Sequence, residues 1–324
     1  LMVIYHFGIA VASIIAGISS SLFILSLSLA IIGIFASIYH PVGTAMLLAK
    51  NERTGFRLGI NGVYGNMGVA AAPLVLGAIL LFGDWRSCFI IPGIFCLIYG
   101  VIFFLALENN PSLKKTETLQ LNRGFARNWQ WALASISIST LAGGFIFGAM
   151  TFIIPRYFEI YLIDISTSVA VTGALAAAVY ACASFSQIVV GKLIDIYSPK
   201  IILLYTAVGQ IIFIFFASAL HNWYLFFISL VAICFVFGQI PITDAILSRY
   251  VPDAWRARVF SVKFMLNLSI GASVLPICGI ILQAGYSMTS LFTLMSAIAT
   301  LIVVAAVILP KQQSDQRIDY APAK

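Results

Sequence analysis

His40, Asp244 and Lys263 are ionisable residues set within or at the edges of long apolar stretches of this chain. A charge in hydrocarbon is expensive, so such residues are functional suspects by default. Histidine titrates near neutral pH, so His40 could carry a proton or hold an anion. It could equally stand as a neutral ring satisfied by a neighbouring helix, with Pro41 beside it as a plain kink. Asp244 lies a little over one helical turn before Arg249 and near Arg256 and Arg258. Two roles fit it, a proton-carrying carboxylate or the acidic half of a gate ion pair, and the nearby arginines favour the second. Arg57 and Arg258 sit at matching places ahead of two apolar stretches and read as gate or headgroup contacts. Lys263, about a turn and a half deeper than Arg258, is placed to snorkel back to the surface. Binding, proton exchange and ion pairing are the chemistry open to this set.

Other chemistries find no support. The chain has three histidines, His6, His40 and His221, too few and too scattered for an intramembrane metal or acid–base cluster. Its five cysteines show no CxxC or Cys/His spacing and read as small apolar fillers. No catalytic triad stands out, and no GxxxxGK[ST] loop occurs, so ATP is not the driving force. The sequence therefore predicts neither an enzyme nor a bound cofactor or metal.

Softer candidates line up with the first set. Tyr39, Asn61, Asn66 and Gln239 are polar points in apolar stretches, as are Tyr64, Tyr180, Gln187 and Asn267. Such groups bind solute or glue helices together. Phe145 and Phe147, beside Gly143 and Gly144, could give an aromatic wall suited to an amphipathic organic solute. Two residues apart, they do not share a helix face.

The elements that must carry these residues are membrane helices. The 324 residues are 61% hydrophobic and 9% charged, with mean hydropathy +1.05. A soluble domain carries about 25% charged residues. The net charge of +7 sits in short gaps rather than in a patch, which speaks against nucleic acid and for membrane topology. Spanning hydrocarbon takes about 20 apolar residues. Ten stretches qualify: 1–19, 22–49, 58–83, 87–107, 130–154, 167–190, 200–220, 223–248, 259–283 and 287–309. The first is too long for a signal peptide and lacks a charged start. Sixteen of the eighteen Lys and Arg fall in alternate gaps, at a span edge or in the tail, and only Arg86 and Arg156 in the other gaps. The positive-inside rule then places the crowded gaps, and both ends of this chain, in the cytoplasm.

The polar stretch 108–128 divides four spans from six. It reads as a cytoplasmic linker between an incomplete first half (1–107) and a six-helix second half (129–310), with a cytoplasmic tail at 311–324. A repeat joins the halves. Pro41, Ala45, Arg57, Gly68 and Pro73 return as Pro241, Ala245, Arg258, Gly271 and Pro276, some two hundred residues on. Aligned on that repeat, the first half lacks two helices at its front. A complete version would have about 390 residues and twelve spans.

Three local patterns carry a resemblance. Gly59, Gly68, Pro73 and Gly77, with Ala72 as a small substitute, follow a long-spaced glycine–proline motif of antiporters. Gly191-Lys-Leu193-Ile-Asp195-Ile-Tyr-Ser-Pro-Lys200 is similar to a Gly-x-Leu-x-Asp-Arg-x-Gly-Arg-Lys loop, departing at Ile196, Ser198 and Pro199. Here Gly191 is expected to permit a tight turn, and Asp195 to cap a helix start or pair with a base across the halves. Asp84-Trp85-Arg86 matches an outer Trp-Arg pair and also reads as membrane anchoring. On these patterns the chain resembles the major facilitator superfamily, as helices three to twelve of twelve. Residues 38–43 and 241–245 are similar to bacterial drug or metabolite efflux branches.

That resemblance implies an all-α polytopic fold and a secondary transporter that alternates access by rocking its halves. It would move a small organic solute with protons, efflux somewhat favoured, as a monomer in a bacterial inner membrane. The substrate path would run between the halves, lined here by spans two, five and eight. The contrasting expectation is a non-transporting truncated remnant or a sensor built on the same fold.

Overall fold

A computed structural model of the chain describes residues 1–48, 54–109 and 124–310. Most of the expected linker and all of the tail 311–324 lie outside the described residues. Backbone amides in hydrocarbon find partners only within a helix, and the described residues form twelve helical segments. The first half holds α1 (Met2–Gly17), α2 (Leu22–Ala36), α3 (Tyr39–Leu48), α4 (Thr54–Phe82) and α5 (Ser87–Asn109). The second half holds α6 (Trp129–Tyr161), α7 (Val169–Ser184), α8 (Ser186–Ile196), α9 (Pro199–Ala217), α10 (Asn222–Tyr250), α11 (Asp253–Gln283) and α12 (Met288–Ile308).

Two crossings are broken. α2 and α3 form one apolar span, Leu22–Leu48, interrupted at Ser37 and Ile38. The break lets Pro41 fall in the first turn of α3, where its missing N–H costs no helical bond. α7 and α8 form the span Val169–Ile196, broken at Phe185. Counting these as single crossings, nine described spans are long and apolar enough to cross a bilayer. α1, at 16 residues, is shorter than the roughly 20 a crossing takes, so the expected span at 1–19 is a short apolar helix.

Two sequence boundaries are corrected. The span expected to stop at residue 154 runs on through Pro155 to Tyr161. A proline inside a membrane helix is tolerated when neighbours meet the freed carbonyl. The segment read as a loop from Gly191 is helical up to Ile196, so only Tyr197 and Ser198 join α8 to α9. Gly191 is therefore not a turn residue.

The core lies in the second half. Tyr157, Phe158, Phe237 and Phe292 are fully buried there, whereas α2, α4 and α5 turn Phe23, Tyr64, Phe82 and Phe95 outward. An apolar outward face suits lipid. The halves meet along two lines: α4 against α7, α8 and α10, and α3 against α11. Arg57, Lys192, Lys200, Arg249 and Arg258 cluster toward one end of the bundle, here termed the basic end.

Candidate functional site

Where α3 meets α11, one ion pair lies buried. Lys263 Nζ donates to the Asp244 carboxylate, with the two side chains only 8% and 9% exposed. The sequence placed Lys263 as a snorkelling residue and matched Asp244 to the arginines. In the fold Lys263 on α11 turns inward to Asp244 on α10 rather than back to the surface, and Asp244 takes this lysine as its ion-pair partner. Lys263 also lies over the Phe264 ring, 5.2 Å from its centroid. From the other half, His40 stacks on that ring at 4.5 Å with 24° between planes. Asp244 and Lys263 are within electrostatic reach of His40. The three candidates thus form one group across the junction: a matched pair on the second half and a titratable ring on the first. Such a group can exchange a proton, lose its pairing and change how the halves meet.

The basic end carries a second arrangement, an antiparallel seam between α4 and α8. Gly55, Gly59 and Gly62 share one face of α4, and Gln187, Gly191 and Asp195 share one face of α8. A Cβ on Gly55 would lie 2.3 Å from the Gly191 carbonyl oxygen, and one on Gly191 the same distance from the Gly55 oxygen. A Cβ on Gly59 would lie 2.3 Å from the Gln187 carbonyl oxygen. Only glycine allows two backbones this close, an approach that recurs in membrane helix pairs with Cα–H···O contacts. At the open end, Asp195 accepts from the Gly55 and Phe56 amides at 2.8 and 2.9 Å, capping α4 from the opposite half. A carboxylate at a helix start meets unpaired N–H groups and the positive end of the dipole. Lys192 sits 5.5 Å over Phe56, and Arg249 Nη2 donates to the Ile194 carbonyl at 2.8 Å.

The remaining candidates scatter. Tyr39 donates to Asn61 Oδ1 at 3.2 Å, tying α3 to α4 inside the first half. Asn66 is buried, and its Nδ2 has no partner among the described residues. Gln239 donates to the Ser139 carbonyl at 3.0 Å and accepts from Gln210 at 2.8 Å, binding α6, α9 and α10 together. Phe145 is buried, and Phe147 packs on Phe237 at 5.4 Å. Arg57 donates to the Leu47 carbonyl at 3.2 Å, whereas Arg258 lies 4.9 Å over Trp255 on its own helix. Of the glycine motif, Gly59 makes the close approach just described. A Cβ on Gly68 or Gly77 would meet nothing within 4 Å, and Pro73 falls within α4. Sequence reasoning missed Gly55, Gly62 and the seam as a unit. The signal was present in Gly55-x-x-x-Gly59 and in Gln187-x-x-x-Gly191-x-x-x-Asp195.

One family profile, that of the Major Facilitator Superfamily, matches residues 1–164 and again residues 160–320. The chain belongs to the Major Facilitator Superfamily. Among superfamily members, the multidrug resistance protein MdtG of Proteus mirabilis (strain HI4320) is 23% identical over 301 residues, covering 90% of this chain and 73% of that protein. FucP, crystallised in the outward conformation, superposes with a TM-score of 0.68 at 15% identity, over 96% of this chain and 83% of FucP. A bacterial homologue of the human lysosomal transporter Spinster gives 0.54 at 15% identity, over 95% of this chain and 80% of that one. Both likenesses establish the superfamily fold.

Proposed function

We propose that this superfamily member is a secondary active transporter that moves a small organic solute by alternating access, coupled to protons, with efflux favoured over uptake. The observation that carries the reading is the buried Asp244–Lys263 pair at the junction of the halves, with His40 stacked on the adjoining Phe264. A paired charge in a membrane core marks an ion path or proton relay. Protonating Asp244 would release Lys263, and His40 is the group on the opposite half positioned to respond. The α4–α8 seam supplies the moving part, since its backbone approaches, its helix cap and the Lys192–Phe56 contact can all part without unfolding either helix. By the distribution of Lys and Arg, the sealed basic end faces the cytoplasm. The antiporter-type glycines, and the likeness to a protein named for multidrug resistance, favour efflux.

The test is flux in proteoliposomes holding the full chain, with amphipathic organic cations and carboxylates as the solute panel. An imposed pH gradient is expected to drive at least one of them, and Asp244→Asn to uncouple flux from the gradient. Flux indifferent to the gradient in the unaltered chain would refute proton coupling.

A further inference from the structure

Gln187 carries an amide with nothing to bond. Its side chain is 0% exposed, and neither Nε2 nor Oε1 has a hydrogen-bond partner among the described residues. It is seated against α4, where a Cβ on Gly62 would lie 1.9 Å from Oε1 and 3.2 Å from Nε2. The rest of the seam is matched. Gly55 and Gly191 approach each other's carbonyls, and Asp195 receives two amides. The seam is therefore satisfied at its basic end and unsatisfied at its inner end, about two helical turns or ~12 Å deeper. An amide buried between two helices and unmatched by protein groups destabilises this closed arrangement. Parting α4 from α8 would expose it to a hydrated path, where water or solute meets both its donor and its acceptor.

We infer that Gln187 is a return spring built into the seam. Its unmet amide raises the closed state against the open one, so halves that shut at the basic end are driven to part again. This rests on the alternating-access reading, of which the closed seam is one state. Replacing the amide by an apolar side chain of similar length keeps the packing and removes the penalty. The ratio of closed to open is then expected to rise by roughly 5- to 150-fold, the range set by one unmet buried polar group. A residue that only filled space would leave that ratio unchanged.

The test uses the full chain in lipid nanodiscs, with the five native cysteines replaced. Spin labels go on Met46→Cys and Tyr197→Cys, exposed positions near the basic ends of the two halves. Pulsed electron resonance then reads the closed and open separations as two populations. Gln187→Met is expected to enrich the short separation. Gly62→Ala is expected to enrich the long one, because its Cβ would collide with Oε1. Gln187→Leu removes the same amide and is also expected to enrich the short separation, which keeps the test decisive if Gln187→Met folds poorly. An unchanged or reversed ratio in the apolar variant that folds overturns the spring. A single separation in the unaltered chain at every pH and solute tried overturns alternating access itself, and the spring with it.

Discussion

At the scale of residues, Asp244 and Lys263 hold each other in place. They lie 19 positions apart, on different helices, and each is more than nine-tenths buried. Removing one partner of a buried pair leaves a charge with no compensation, whereas removing both leaves an ordinary apolar contact. Lys263→Met is therefore expected to cost about 3–5 kcal/mol of stability, and the double variant Asp244→Leu with Lys263→Met to recover most of it. Unfolding in detergent micelles followed by circular dichroism measures both, and equal losses in the two variants would contradict the pairing. The reading of His40 differs in kind. Its ring meets Phe264 by stacking and touches the pair through its field, so it informs the junction without holding it together.

At the scale of elements, helix ends carry the polar work. α4 borrows its cap from Asp195 on the other half, while α5 supplies its own from Asp84 in the preceding turn. Asp84 Oδ1 accepts from the Ser87 and Arg86 amides at 3.2 and 3.1 Å and from the Ser87 hydroxyl at 3.2 Å. The Ser87 backbone N–H, above all, holds this carboxyl below the usual carboxylate range. The sign follows from the depressed value: the cap's contribution is full above the ordinary carboxylate pKa and is lost as pH falls through the lower folded one. Amide hydrogen exchange at Arg86 and Ser87, corrected for intrinsic rates, is expected to speed up across that acidic window. Protection that stays flat there would exclude the cap. The proline elements show the reverse lesson. Pro41 and Pro241 occupy matching places in the repeat, yet the first follows a break at Ser37 and Ile38 while α10 continues through the second. Buried neighbours on several sides, from Phe237 to Leu247, hold α10 together against the lost bond.

At the scale of the whole molecule, the two halves touch where a transporter must be able to let go. The seam joins them by backbone contact, a helix cap and the approach of Lys192 to Phe56. Phe56→Cys with Lys192→Cys, in a background without the native cysteines, is expected to form a disulfide under mild oxidation and to stop solute flux until reduced. Flux that persists in the cross-linked protein would show that the basic end need not open.

Composition and gap charge determined much of this protein by themselves. Hydrocarbon forbids unpaired backbone, so long apolar stretches such as 223–248 had to be helices, and a repeat of Pro, Arg and Gly at two-hundred-residue spacing read as two related halves. For Asp195 the sequence left a helix cap or a basic partner across the halves open, and the fold gives it the amides of Gly55 and Phe56. The partner of Asp244 was not legible: nearness in sequence pointed to Arg249, and only the tertiary fold brought Lys263, 19 residues on, to it. Gly191 looked like a turn, since glycine serves turns and close approaches alike, and only the carbonyl of Gly55 lying against it decides between them. Periodicity along one chain fixes which residues share a face. Which face meets which is a property of the assembled bundle, and the buried pair and the seam both exist only there.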